Sequence, residues 1–169
     1  MTIKTAGLAL LLSLGAAPAV AKEAVNSAAI TAHLEGLITQ NYTDCYNEAQ
    51  HSPIERVVFC KAGLDEVNAS RNAAPQASIA EKSNFDFVES TLLSGLALGY
   101  SQIDKRSSTR FCTTIERVWV LRHGLLAIAE NELPADAFRA YHDVPPALGK
   151  IVGQCRGEFG TPEGAPPMP

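Results

Sequence analysis

Apolar residues recur along the chain at helical spacing, and the longest such pattern covers residues 108–133. Phe111, Ile115 and Val118 lie three or four positions apart, which places their side chains on one face of a helix. No proline interrupts the stretch before Pro134, where the ring would end a helix. The pattern predicts one long helix, and we expect the other helices to pack around it.

Two Ser-x-x-Glu sequences predict the starts of two further helices. Ser52–Glu55 and Ser78–Glu81 match the capping box, in which the serine hydroxyl accepts a bond from the glutamate N–H and the glutamate side chain accepts one from the serine N–H. The apolar spacing extends these helices to about residue 72 and residue 103.

The remaining segments complete an all-α prediction. Helices are expected over about Ser27–Tyr46, over Pro134–His142, and again from Asp143–Pro146 onward. No segment shows the sustained alternation of apolar and polar residues that is typical of strands. We therefore predict a single helical domain in residues 22–157, followed by a disordered Gly/Pro-rich tail in residues 158–169.

Two segments of the chain are similar to each other. Ile54–Val67 reads IERVVFCKAGLDEV and Ile115–Ile128 reads IERVWVLRHGLLAI, with six of fourteen positions identical. The similarity indicates a duplicated helical hairpin, and two such hairpins facing each other would form a four-helix bundle. Chance similarity between two amphipathic helices is the alternative.

Residues 1–21 have the features of a secretory signal peptide. Lys4 supplies the positive start, Leu8–Leu14 the apolar run, and Ala19–Ala21 the A-x-A cleavage site. A membrane anchor is the alternative, but the run is shorter than the roughly 20 residues needed to span a bilayer. We predict a periplasmic or secreted protein with no membrane span after cleavage.

Four cysteines follow the predicted signal peptide: Cys45, Cys60, Cys112 and Cys155. An even number in an exported chain favours two disulfides, because the exported compartment is oxidising. Three pairings are possible. We favour Cys45 with Cys60, which flank a predicted turn between helices, leaving Cys112 with Cys155. Free buried thiols are the alternative.

The sequence contains no recognisable catalytic, metal or cofactor motif. None of the four histidines, His33, His51, His123 and His142, lies four positions from another or in an H-E-x-x-H sequence. The cysteines form no C-x-x-C pair, and there is neither a G-x-S-x-G sequence nor a glycine-rich phosphate loop. We assign no catalytic residue, metal or cofactor. The net charge of −4 also disfavours nucleic acid as a partner.

A basic cluster before the long helix is one candidate binding site. It comprises Lys105, Arg106, Ser108 and Arg110. The free N–H groups and the dipole at a helix N-terminus attract anions, so these residues could bind one. The alternative is a solvated turn that caps the helix.

Two glycines in the third predicted helix give a second candidate. Gly95 and Gly99 are four positions apart and share one face. Each costs roughly 1 kcal/mol of helix stability relative to alanine. Such a cost is reasonable where a neighbouring helix crosses closely, or where a small ligand cavity lies between the third and fourth predicted helices, with Trp119 also lining it.

One short motif resembles a known family. Cys45, then Ser52–Arg56 with the sequence SPIER, then Cys60 resembles the motif of small secreted lysozyme-inhibitor-like domains. The likeness covers residues 45–60 only, and one additional residue separates Glu55 from Cys60. The resemblance implies an interaction protein that blocks a cell-wall hydrolase.

Taken with the missing catalytic motifs, the well-specified helical scaffold predicts an exported, non-catalytic protein that binds another protein or a component of the cell envelope. A small-ligand carrier is the alternative from a different functional class.

Overall fold

The computed structural model describes residues 27–47, 49–104, 108–132 and 146–168, and within them every regular element is a helix. The helices are α1 (Ser27–Leu37), α2 (Gln40–Tyr46), α3 (Pro53–Ala73), α4 (Ile79–Ile103), α5 (Thr109–Glu132) and α6 (Pro146–Phe159). The all-α prediction is confirmed. The predicted signal peptide and the predicted helix over Pro134–His142 lie outside the described residues.

The first predicted helix is two helices in the structure. The prediction of one element over Ser27–Tyr46 is wrong, because α1 ends at Leu37 and α2 begins at Gln40. Thr39 has an extended backbone and caps α2, its hydroxyl oxygen accepting a bond from the Tyr42 N–H. A threonine side chain that bonds to nearby backbone in this way favours a helix start over a helix interior.

Both predicted capping boxes are present. The Ser52 hydroxyl accepts a bond from the Glu55 N–H, and the Glu55 carboxylate accepts one from the Ser52 N–H at 2.8 Å. Ser78 and Glu81 repeat the arrangement at the start of α4. The bonds from the serine backbone and hydroxyl stabilise the charged carboxylates and lower the pKa of both glutamates.

Helix α4, and not α5, is the centre of the fold. The prediction that the other helices pack around residues 108–133 is wrong: α1, α2, α3 and α5 all contact α4, whereas α5 contacts chiefly α4 and α6. Buried residues lie all around α4 along most of its length. A helix that is buried on every side occupies the interior, whereas the one-sided stripe of α5 is typical of an outer helix.

Helix α3 crosses α4 at close range along a line of glycines. A methyl group at Gly95 would lie 2.5 Å from Cys45 Sγ, and one at Gly99 would lie 2.7 Å from Val57 Cγ2. From the α3 side, a methyl group at Gly63 would lie 2.9 Å from a Leu92 methyl. The close crossing predicted for Gly95 and Gly99 is therefore confirmed.

Two disulfides fasten the helices, with the predicted pairing. Cys45–Cys60 joins α2 to α3 and is fully enclosed beside α4. Cys112–Cys155 joins α5 to α6. Both bonds fit an exported protein, because disulfides persist in oxidising compartments.

A buried carboxylate links three helices. Glu89 of α4 accepts bonds from Arg71 of α3 at 2.7 Å and from Arg117 of α5 at 2.9 Å. The Glu89 side chain is almost completely buried. Opposed guanidinium groups satisfy both carboxylate oxygens, which offsets the cost of burying the charge.

The chain after α6 returns along α5. Helix α6 ends at Phe159, two residues beyond the predicted boundary. The Pro166 carbonyl accepts bonds from Trp119 Nε1 at 3.4 Å and from an Arg156 terminal nitrogen at 2.9 Å, and Arg156 also pairs with Glu116. The disorder suggested by the composition of residues 158–169 stays a prediction.

Matched positions of the two similar segments have different surroundings. Arg56 is buried and bonds to Gln102, while its counterpart Arg117 is largely exposed. Gly63 faces α4 closely, while a methyl group added at its counterpart Gly124 would meet no described atom of a neighbouring element within 4 Å. The duplication stays a prediction.

Candidate functional site

An apolar groove lies between α4, α5 and α6. Its volume is about 590 Å³, which lies within the range of small-molecule sites. Its walls include Ala97 and Leu98 from α4, Phe111 and Ile115 from α5, and Leu148 and Ile151 from α6. We call this site the α4–α5–α6 groove.

The groove exists because α6 is attached to α5 and not to α4. Cys112–Cys155 and the Glu116–Arg156 ion pair both join α6 to α5. The Arg156 and Glu116 side chains are mostly buried, which strengthens their attraction. Helix α6 therefore lies against α5, and its apolar side overhangs the neighbouring surface of α4 without closing onto it.

One end of the groove carries an arginine. Arg122 lines the groove; its Nη2 lies 3.5 Å from Thr91 Oγ1, and its guanidinium stacks 5.1 Å from the centre of the Phe87 ring. Phe111 and Arg122 lie eleven residues apart on α5, so the groove extends about 16 Å along that helix at 1.5 Å per residue.

Two tyrosines complete the surroundings of Arg122. Tyr46 donates a hydrogen bond to the Thr91 carbonyl at 2.7 Å, and its ring stacks on Tyr42. Burial raises the pKa of Tyr46 to about 12 and also raises the pKa of Tyr42, so both phenols are uncharged at neutral pH. Burial lowers the pKa of Arg122, yet a guanidinium stays charged in proteins. The phenols therefore do not neutralise Arg122.

None of the ion pairs formed within the described residues includes Arg122. The arginines Arg71, Arg110, Arg117 and Arg156, by contrast, each pair with a carboxylate. The lining of the groove thus combines apolar walls with an arginine that has no carboxylate partner within the described part of the chain.

The predicted anion site is only partly described. Lys105 and Arg106 lie outside the described residues. The Ser108 hydroxyl accepts a bond from the Phe111 N–H and so caps α5. Arg110 forms a two-pronged ion pair with Asp104, which occupies its guanidinium. Anion binding by the cluster stays a prediction.

The residues predicted to line a ligand cavity lie elsewhere. Gly95 and Gly99 face α3 with no space for a ligand, and Trp119 is buried with its indole N–H on Pro166. None of the three lines the α4–α5–α6 groove. Sequence reasoning therefore did not find the residues that line this groove, and ligand binding by the protein stays a prediction. The usable signal was a second line of small residues on α4: Ser94, Ala97 and Ser101, three and four positions apart.

The described residues offer no group of three His, Cys, Asp or Glu side chains able to hold a metal ion. His33 contacts the Asn84 side chain at 3.0 Å, and His123 contacts the Trp119 carbonyl at 3.0 Å. Within the same residues, no helix has the length and apolar character needed to cross a membrane.

Comparison with protein-family models, with curated proteins and with solved structures found no match for this chain.

Proposed function

We propose that this protein is an exported, non-catalytic binding protein that carries a small apolar molecule in the α4–α5–α6 groove. The observation that carries the proposal is the groove itself, because a site of about 590 Å³ with mostly apolar walls has the size and character of a small-molecule site. Packing around the glycines closes the other face of α4, so of these two faces only the one toward α6 leaves space for a ligand.

Export is supported by two independent features. Residues 1–21 have the charge, apolar run and small residues of a signal peptide. The two disulfides are of the kind that persists outside the cytoplasm. These features are equally compatible with a location in the periplasm and with one in the extracellular space.

The test is a titration of residues 22–169 with N-phenylnaphthylamine, an uncharged dye that fluoresces in apolar sites. We expect saturable binding to the native protein. Leu98 lines the groove and is partly exposed, so Leu98→Trp can place a large ring in the groove without disturbing the core. The variant should bind the dye about tenfold or more weakly, which corresponds to 1.4 kcal/mol.

Val58→Trp is the matched control, because Val58 is exposed on α3 and does not line the groove. It should bind the dye like the wild type. Equal binding by Leu98→Trp and wild type, or no saturable binding at all, contradicts the proposal.

A protein partner is the second candidate, and an exposed apolar pair on α3 favours it. Ile54 and Val58 lie one turn apart and are 66% and 58% exposed. Ile54 also belongs to the segment that resembles lysozyme-inhibitor-like domains. Inhibition of lysozyme by the wild type, lost in Ile54→Glu and retained in Leu98→Trp, would support this candidate over the carrier.

A further inference from the structure

We propose that the ligand of the groove is an amphiphile with one acidic head group, bound by Arg122, and an unbranched apolar chain that extends toward Phe111. The inference rests on the proposed carrier function and adds the chemical class of the ligand. It also predicts which acids the groove excludes.

The acidic head group of the ligand is inferred from the positive charge of Arg122. Arg122 is partly buried, and withdrawing a guanidinium from water is costly unless a partner of opposite charge compensates it. Among the described residues Arg122 has no ion-pair partner, and its one hydrogen bond, to Thr91 Oγ1, is long at 3.5 Å. An arginine has five N–H donors, so donors remain for both oxygens of a carboxylate.

Arg56, an arginine more deeply buried than Arg122, shows why the site is at Arg122. Arg56 also has no carboxylate partner among the described residues, but it is only 2% exposed and donates to Gln102 near the end of α4. The negative end of the α4 dipole compensates part of its charge. Arg56 does not line the groove, whereas Arg122 does.

The apolar chain of the ligand is inferred from the residues that form the walls of the groove. Leu98, Ile115, Val118 and Leu148 give the groove an apolar lining between its ends. The distance of about 16 Å from Arg122 to Phe111 suits an extended chain of the length found in dodecanoate. Burial of such a chain supplies the affinity, since apolar area removed from water is the main favourable contribution.

The far end of the groove carries an acid. Glu158 lines the groove three residues after Cys155, about 4.5 Å further along α6. The disulfide holds Cys155 against Cys112, next to Phe111, so Glu158 lies near the end opposite Arg122. A ligand with acidic groups at both ends would place one carboxylate near Glu158, and like charges repel. The groove should therefore prefer monoacids to diacids.

Competition against bound N-phenylnaphthylamine tests the inference with three compounds of equal chain length: dodecanoate, dodecanol and dodecanedioate. On residues 22–169 at neutral pH, dodecanoate should compete at least about tenfold better than either of the others, a difference of 1.4 kcal/mol. Arg122→Gln should remove the preference for dodecanoate over dodecanol while dye binding persists. Lys150→Gln, which removes an exposed charge on α6 outside the groove, should keep that preference.

Equal competition by dodecanol in the wild type, or an unchanged preference in Arg122→Gln, overturns the acidic head group and leaves the carrier function intact. No binding of the dye or of dodecanoate overturns both. Glu158→Gln is the second variant, needed if Arg122→Gln fails to fold: dodecanedioate should then compete nearly as well as dodecanoate, and an unchanged discrimination against the diacid contradicts the inference.

Discussion

The two sides of α4 both carry small residues, but one side is closely packed and the other borders an open groove. Toward α3, Gly95 and Gly99 allow backbones to approach until the Cys45–Cys60 disulfide fills the remaining space. Toward α6, Ser94 and Ala97 are also small, yet a groove of about 590 Å³ remains. The first side is closed by packing and the second is open.

The difference shows that small side chains alone do not decide between a close crossing and a groove. What decides is how the neighbouring helix is held. Helix α3 is free to settle onto α4, because its disulfide joins it to α2 on the same side. Helix α6 is fastened to α5 by a disulfide and an ion pair, and these hold it away from α4.

The largest expected effect contrasts two leucines of α4. Leu92 is fully buried on the closed side, and Leu92→Ala should lower the free energy of unfolding by about 2–5 kcal/mol, the range for buried leucine truncation. Leu98 is 36% exposed beside the groove, so Leu98→Ala should cost only about 0.5 kcal/mol, as surface changes usually do. Chemical denaturation followed by Trp119 fluorescence measures both. Equal costs would mean that the two sides are packed alike.

The next effect concerns the glycines. Gly95→Ala should lower the free energy of unfolding by about 1–3 kcal/mol, because the added methyl group overlaps Cys45 Sγ in a tightly packed region. Gly124→Ala, in a helix with no neighbour near the added methyl group, should raise it by up to about 1 kcal/mol through helix propensity alone. A stabilising Gly95→Ala would refute the close crossing.

The two disulfides should differ in reactivity. Cys112–Cys155 lines the groove, whereas Cys45–Cys60 is enclosed between α2, α3 and α4. Thiol–disulfide exchange requires access to a sulfur atom, so a reductant should open Cys112–Cys155 first in the native protein. Timed alkylation with peptide mapping gives the order. Earlier labelling of Cys45 and Cys60 would contradict the described packing.

The smallest effect is the response to acid at the helix starts. The pKa of Glu55 and that of Glu81 are lowered from 4.5 by their capping bonds, so this stabilisation is present above about pH 4.5 and is lost as the pH falls through the folded pKa. Helix α5 has a serine cap but Phe111 in place of the glutamate. Amide protection factors, which correct for the slower intrinsic exchange in acid, should therefore fall at the starts of α3 and α4 more than at the start of α5, and an equal fall at all three would contradict this.

Local signals in the sequence predicted local structure well. The capping boxes, the helices that follow them and the Cys45–Cys60 disulfide depend on residues close together in the chain, and the structure has them. The break at Thr39 was missed because a single cap competes with a continuous apolar pattern.

Tertiary placement was harder to predict. The one-sided stripe of residues 108–133 suggested a central helix, but α4 takes that position because it is buried all around. Arg122 gave no sequence signal. Its proposed role rests on the absence of an ion-pair partner among the described residues, which depends on where α4 and α6 lie.

The consecutive pairing of the cysteines has a consequence for biogenesis. A chain that enters an oxidising compartment from its N-terminus presents Cys45 and Cys60 before Cys112 arrives, so the first pair able to form is the native one. Cys112 then meets no free thiol until Cys155 follows 43 residues later. For a chain exported N-terminus first, we therefore expect each oxidation step to lead directly to the native pairing without a disulfide isomerase.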